Sequence, residues 1–368
     1  MPEVKPTWKQ QYGGKILAAV VALVAAGLGA LTTYLGQPTP APVVIEVPVV
    51  PPPEPTYGHG WVSDPEEVAS VVAMLPIKAF ADTPAGMTQD PLPPAVYGWQ
   101  SFDKLGKPAP VKNQGGVGSC VSHGTNTAVE YTLAAEVVRR KGAASEWSRF
   151  TEEATYGGSR VEIGGGRIRG DGSIGAWAAQ FVTKWGMVPR KKYDSTDLTT
   201  YSESRCRQWG QSGVPDEFET VAKKFPVKST TQVKVWEEAK TAMAQGYYVA
   251  VCSNQGFAMQ RDANGVCRPS GSWAHCMALT GYHTEAGKEY GHITNSWGAD
   301  AHTGPVGWGN PPPDGFWCEW TTVDRMLKQG DSWAFSGVTG FPARKLDWFT
   351  RAEPAFHPFA RPEFALAP

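Results

Sequence analysis

Cysteine is scarce, with six residues in a chain of 368. That is too few for a small domain stapled by disulfides. An excess of either charge is also missing. Lys and Arg total 34 against 35 Asp and Glu, a formal net charge of −1, and no long basic run occurs. This argues against nucleic acid or an acidic polymer as the main partner. There is no HExxH and no CxxC pair, so neither a metal nor another cofactor is expected. The glycine-rich stretch "GGGRIRGDGSIG" (164–175) is not followed by GK[ST], which speaks against a phosphate loop. No internal repeat appears. What is abundant is glycine (41) and tryptophan (15), with 41% hydrophobic residues. Such a chain can build a core, and its loops are rich enough for an enzyme.

Residues 16–35, "ILAAVVALVAAGLGALTTYL", form an uncharged apolar run long enough to cross a bilayer as a helix. Lys5, Lys9 and Lys15 precede it, and no Lys or Arg follows until Lys78. The charge bias places residues 1–15 in the cytoplasm and the remainder outside. We read the run as an uncleaved single-pass anchor in the cell membrane. A cleaved signal peptide, giving a secreted protein, is the competing reading. Residues 37–57 hold eight prolines and read as an extended stalk. Within residues 58–91, Asp64-Pro65 opens a short helix with Glu66 and Glu67 in its first turn. Val68, Val71, Val72 and Leu75 line one face, and Pro76 ends it. This membrane-proximal, short pro-like segment is expected to pack on the domain rather than to inhibit it.

A compact domain is expected over residues 92–340, followed by a Pro- and aromatic-rich tail, 341–368. A helix is predicted from about Cys120 to Arg140 and another over about Ala176–Lys184. From about 245 onward the short runs "YYVAVCS", "HCMALTGYH", "YGHITNSWG" and "GFWCEWTT" read as strands. Helices first and antiparallel strands second indicate an α+β fold in two lobes.

The sequence also supplies the parts of a thiol nucleophile's site. Cys120 lies behind a glycine-rich turn at the head of a predicted helix, where unpaired N–H groups and the helix dipole favour thiolate. Gln114 can offer an amide N–H to an oxyanion. His275 begins a strand and can serve as a base. Asn295 can fix its tautomer, and Trp297 can shield that hydrogen bond from water.

The order "VKNQGGVGSC" (111–120), "WAHCMALTGYH" (273–283) and "NSWG" (295–298) resembles the papain-like cysteine peptidases. His275 and Asn295 lie 155 and 175 residues after Cys120, in the family's order though slightly beyond its usual spacing of about 130–150. "GDGSIGAWAAQFVTKWGMVPRKKYD" (170–194) is similar to the segment after the family's substrate-binding glycines, in a form associated with bacterial members. The resemblance implies a helical lobe and a barrel-like antiparallel lobe with the active-site cleft between them. It implies Cys120 as nucleophile, His275 as base and Asn295 as its orienting group. Gln114 and the Cys120 backbone N–H would form the oxyanion hole. Ser173 and Ile174 would pair with substrate backbone, and Trp273, Ala274 and Trp297 would border the bound peptide. The partner implied is a peptide or protein.

Several positions depart from the family pattern. Val117 stands where a disulfide cysteine is usual, Val121 replaces the aromatic after the nucleophile, and Ala274 replaces an Asp or Asn. His123 is expected to be a buried, hydrogen-bonded core residue. Trp273 is expected to wall the pocket for the second residue before the cleaved bond, restricting it to small side chains. About seven extra residues lie between Trp297 and Trp308, and the long helical prosegment of eukaryotic members is missing. Cys252 and Cys267 are the expected disulfide pair if one exists, and Cys276 reads as a small buried hydrophobe. The implied reaction is peptide hydrolysis through a thioester. An exopeptidase, a cell-wall peptide hydrolase and a catalytically silent scaffold on the same fold are the alternatives.

Overall fold

The computed structural model of the protein describes residues 57–344. The apolar run, residues 37–56 of the stalk and the tail from 345 lie outside the described residues. Among the described residues no helix is long and apolar enough to cross a membrane.

The helices are α1 (Pro65–Met74), α2 (Gln100–Lys104), α3 (Cys120–Arg139), α4 (Glu152–Gly158) and α5 (Gly175–Trp185). They continue with α6 (Glu203–Ser212), α7 (Glu219–Ala222), α8 (Trp236–Ala244) and α9 (Trp320–Leu327). The strands are β1 (Ala95–Tyr97), β2 (Ser229–Gln232), β3 (Val249–Phe257), β4 (Pro269–Glu285), β5 (Lys288–Thr294), β6 (Gly315–Glu319) and β7 (Asp331–Ser336). All pair antiparallel in one sheet of order β2-β7-β3-β4-β5-β6, with β1 on β4. The fold is α+β, helices first and sheet second, as expected. One boundary differs. "GFWCEWTT" is strand only to Glu319, after which Val323, Met326 and Leu327 turn inward at helical spacing on α9.

Helix α3 is the axis of the helical lobe. It is buried from Cys120 to Thr132 and again over Ala134–Val137. A helix with so few large side chains can be buried all round only because Gly, Ala, Ser and Thr let neighbours come close. Gly124 shows how close. A Cβ there would lie 2.9 Å from the Cys276 sulfur and 3.0 Å from the Met277 carbonyl oxygen, so α3 rests directly on β4. Across the sheet, Cys252 faces Cys276 and Ser253 faces His275.

That register also explains why the expected Cys252–Cys267 disulfide is absent. Cys252 faces Cys276 in mid-sheet, while Cys267 lies beyond the loop and donates its backbone N–H to the Trp317 carbonyl. All six cysteines are free thiols, and all are buried.

The loop before α3 is held by a buried ion cluster. Lys112 Nζ lies 2.9 Å from Glu130 on α3 and 2.9 Å from Glu152 on α4. Arg190 in turn pairs with Glu152 and Glu153. Burial alone would raise the Glu152 carboxyl, but Arg190 and Lys112 hold it well below its ordinary range. Removing one partner leaves a buried charge uncompensated. We therefore expect Lys112→Met to lower unfolding stability by about 3–5 kcal/mol, read as the urea midpoint. A change below about 0.5 kcal/mol would contradict this account.

Candidate active site

Cys120 forms the first turn of α3 and is fully buried. The nearby backbone of Cys276, Val121 and Gly60 favours its thiolate. Burial nevertheless pushes the thiol far above its ordinary pKa, because this backbone does not replace lost water. His275 sits beside Cys276 on β4 and is also fully buried. Its Nε2 lies 2.8 Å from Asn295 Oδ1. Its Nδ1 is buried without a hydrogen-bond partner among the described residues. Burial lowers His275 to about 3, although the bond to Asn295 opposes this. Both side chains are thus held uncharged.

The amide of Asn295 is oriented from two sides. Ser296 N–H donates to Oδ1 at 2.7 Å, so Oδ1 is the oxygen that accepts from His275 Nε2–H. The tautomer then leaves Nδ1 as the free base. Trp297 stacks on the His275 ring, with centroids 4.5 Å apart, and covers this bond. Gln114 is tied to the same loop: its N–H donates to the Ser296 carbonyl and Ser296 Oγ–H donates to Gln114 Oε1.

The cleft over Cys120 is filled by the chain itself. Residues Tyr57 to Val62 run through it, from Trp297 to Ser173. Tyr57 stacks on Trp297 at 4.6 Å. The Gly58 carbonyl accepts from Gln114 Nε2 at 3.0 Å and from Trp297 Nε1 at 3.2 Å. The His59 ring is 5.8 Å from that of His275, centroid to centroid. Gly60 and Trp61 each donate a backbone N–H to the Ala274 carbonyl, and Ser173 N–H donates to the Gly60 carbonyl. Val62 N–H donates to Ser173, completing a short parallel pairing. Glycine at 60 permits this. A Cβ there would lie 1.9 Å from the Gly118 carbonyl oxygen, on the turn that precedes Cys120.

The structure therefore brings Cys120, His275, Asn295, Gln114, Ser173, Ala274 and Trp297 to one cleft. Two expectations differ. The Ile174 carbonyl accepts from Trp177 and Ala178 N–H at the start of α5, and its side chain is buried in the core, so its carbonyl is not offered to a bound peptide. Trp273 packs on Phe257 and Trp297 on the His275 side, so it does not wall the pocket beside Ser173. That pocket takes an indole: Trp61 Nε1–H donates to Asp331 Oδ2 at 2.8 Å. Its occupant is thus large rather than small. His123 is buried and hydrogen-bonded to the Ser119 carbonyl, as expected. Sequence reasoning missed His59, Trp61, Asp331 and His302. The alternation in "YGHGW" is a signal for a flat, close-lying segment; nothing local marks Asp331.

The family model described as papain family cysteine protease matches residues 94–309, more than half of the chain. The chain belongs to that family and is a cysteine peptidase, a hydrolase. Among solved structures it is similar to xylellain, a cysteine protease from Xylella fastidiosa, at 18% identity and TM-score 0.50, covering 77% of this chain and 97% of that one. A digestive procathepsin L 3 from Tenebrio molitor larval midgut shows 18% identity and TM-score 0.45, covering 73% and 79%. A procathepsin B from Trypanosoma congolense shows 11% identity and TM-score 0.46, covering 77% and 86%. At these identities the likeness is one of fold. No curated protein matches the chain.

Because a side chain at 124 meets the backbone of β4 as well as the Cys276 sulfur, it cannot be accommodated by a rotamer change alone. Gly124→Val is expected to lower stability by about 1–3 kcal/mol and to shift Cys120 from His275. Unfolding and peptidase assays on the same preparation would show both losses; unchanged values would sink the close-approach account.

Proposed function

We propose that Cys120, His275, Asn295 and Gln114 carry the peptidase reaction, and that residues 57–62 hold the enzyme latent. The Cys120 thiolate attacks a peptide carbonyl, and the oxyanion is met by Gln114 Nε2–H and the Cys120 N–H. His275, protonated at both nitrogens after taking the thiol proton, gives a proton to the leaving amine. Water then hydrolyses the thioester with His275 as base. The single observation that carries this reading is the Gly58 carbonyl. The side-chain donor proposed for the oxyanion already grips a peptide carbonyl in the cleft. Ser173 and the Ala274 carbonyl pair with the backbone of that same peptide, and they would pair with a substrate's.

Latency has a physical basis. With the segment in place, water and substrate are shut out and the thiol–imidazole pair stays neutral. Withdrawal of residues 57–62 rehydrates both groups and lets the proton pass from sulfur to Nδ1. The inhibitory role thus falls on the stretch just before α1. Helix α1 itself packs: Val68 and Val71 are buried, and Glu67 accepts from Trp177 Nε1 on α5.

We further propose that residues 16–35 anchor the chain, with residues 37–56 as a stalk and the catalytic domain extracytoplasmic, in a bacterial-type member of the family. The charge asymmetry around the apolar run supports this reading.

Two measurements test the proposals. Cleavage of a peptide library by the full chain should vanish in Cys120→Ala. It should rise in Gly60→Val, which cannot lie flat on Gly118, and alkylation of Cys120 by iodoacetamide, mapped by mass spectrometry, should speed up with it. Equal activity and equal alkylation in the Gly60 variant would refute latency; persistent cleavage in Cys120→Ala would refute the nucleophile. Separately, the expressed full chain should sediment with membranes and resist carbonate extraction, whereas recovery in the soluble fraction would overturn the anchor.

A further inference from the structure

The extra residues between Trp297 and Trp308 put a second histidine against the proposed catalytic triad. His302 is buried, and its Nε2 lies 3.1 Å from Asn295 Nδ2. Asn295 Oδ1 already accepts from Ser296 N–H and His275 Nε2–H, so Nδ2 is the donor facing His302. His302 must then accept at Nε2 and carry its single proton on Nδ1. The other side of the ring suits this: the Cys267 sulfur lies 3.8 Å from Nδ1 and can accept its proton, and the Met259 backbone favours a proton on the ring. Burial, with Arg261 nearby, lowers His302 to about 4, which keeps it neutral.

The segment is pinned in place. Thr303 N–H donates to the Met259 carbonyl and Arg261 N–H to the Thr303 carbonyl. The Arg261 guanidinium bonds the carbonyls of Gly304 and Gly315, each at 3.0 Å. His302 therefore stands on a fixed support and not on a loose loop.

We propose that His302 is a positioning residue for the peptidase reaction: by accepting from Asn295 Nδ2 it fixes the amide, and through it the His275 tautomer whose Nδ1 takes the thiol proton. The chain of donors runs from His275 Nε2 to Asn295 Oδ1 and from Asn295 Nδ2 to His302 Nε2. An Asn amide presents an oxygen on one side and an N–H₂ on the other, and a flip would turn a donor toward His275. Ser296 N–H resists that flip at the oxygen end, and His302 resists it at the nitrogen end. A buried histidine that merely fills space would carry no such directional role.

This inference rests on the assignment of His275 and Asn295, and the test separates the two. ¹⁵N-histidine spectra of the full chain should show His302 protonated at Nδ1 alone and His275 at Nε2 alone. His302→Met keeps volume but removes the strong acceptor. In the Gly60→Val background, where the cleft is open, it should lower kcat on the order of tenfold or more with little change in KM, and a second His275 tautomer should appear. His302→Gln restores a carbonyl acceptor and should recover kcat to within about threefold and the single tautomer. A proton on His302 Nε2 in the wild-type chain would overturn the proposal, even if His302→Met fails to fold. So would a His302→Met enzyme with unchanged kcat and one His275 tautomer. Cleavage surviving in Cys120→Ala would instead strike the assignment of the nucleophile, and the tautomer spectra would stand apart from it.

Discussion

The close approach of α3 to β4 is the constraint on which the site depends. Gly124 lies one helical turn after Cys120, and it has no room for a side chain against Cys276 and Met277. That contact sets the depth of α3 in the molecule. It puts the Cys120 sulfur near the Cys276 backbone, one residue from His275. Cys276 is then the natural residue for the contact point: small enough to admit the helix, with a weak thiol donor that the Met277 carbonyl satisfies at 3.9 Å. The thiol geometry is therefore a packing result before it is a chemical one. Interiors at crystal-like density transmit such displacements instead of absorbing them.

Charge state follows from the same burial. A free thiol and imidazole in water lie within reach of exchanging a proton. Under residues 57–62 both move away from the charged form, the thiol upward and the imidazole downward. The two shifts share their largest cause, loss of water, and they oppose ion-pair formation together. A helix N-terminus favours thiolate by up to about 2 kcal/mol, which is smaller than desolvation of a fully buried group. This decides which effect wins in the closed form: the helix dipole alone does not ionise Cys120.

Much of the site was legible because it is carried by local patterns. Gln114, Cys120, His275 and Asn295 sit in short motifs whose order is itself informative, and the periodicity of α3, α5 and the later strands was visible. The N-cap of α1 was legible for a mechanical reason: Asp64 accepts from Glu67 N–H, three residues away. What was not legible depends on long-range register. Asp331 meets Trp61 across 270 positions, and no local signal joins them. The resemblance puts Trp273 at the pocket wall, but its neighbours Phe257 and Trp297 are set by strand and loop register that no local pattern announces. Cys252 and Cys267 looked close along the chain, but the strand pairing between them carries them to different partners.

The closed cleft does not require a tightly binding segment. The backbone bonds to Gln114, Ser173 and Ala274 each contribute about 0.5–1.5 kcal/mol net. Burying one indole adds a few kcal/mol at most. Residues 57–62 are nevertheless joined directly to α1, which is docked through Val68, Val71 and the Glu67–Trp177 bond. A short tether gives an effective concentration in the millimolar range. A segment of only about 10 μM intrinsic affinity would then fill the cleft in roughly 99% of molecules. Weak contacts on a docked helix are enough to keep the site shut, and weak contacts are what a release mechanism needs. Undocking α1 would remove the tether's advantage in one step, so on this reading the α1–α5 contact governs the state of the cleft more strongly than any single bond inside it.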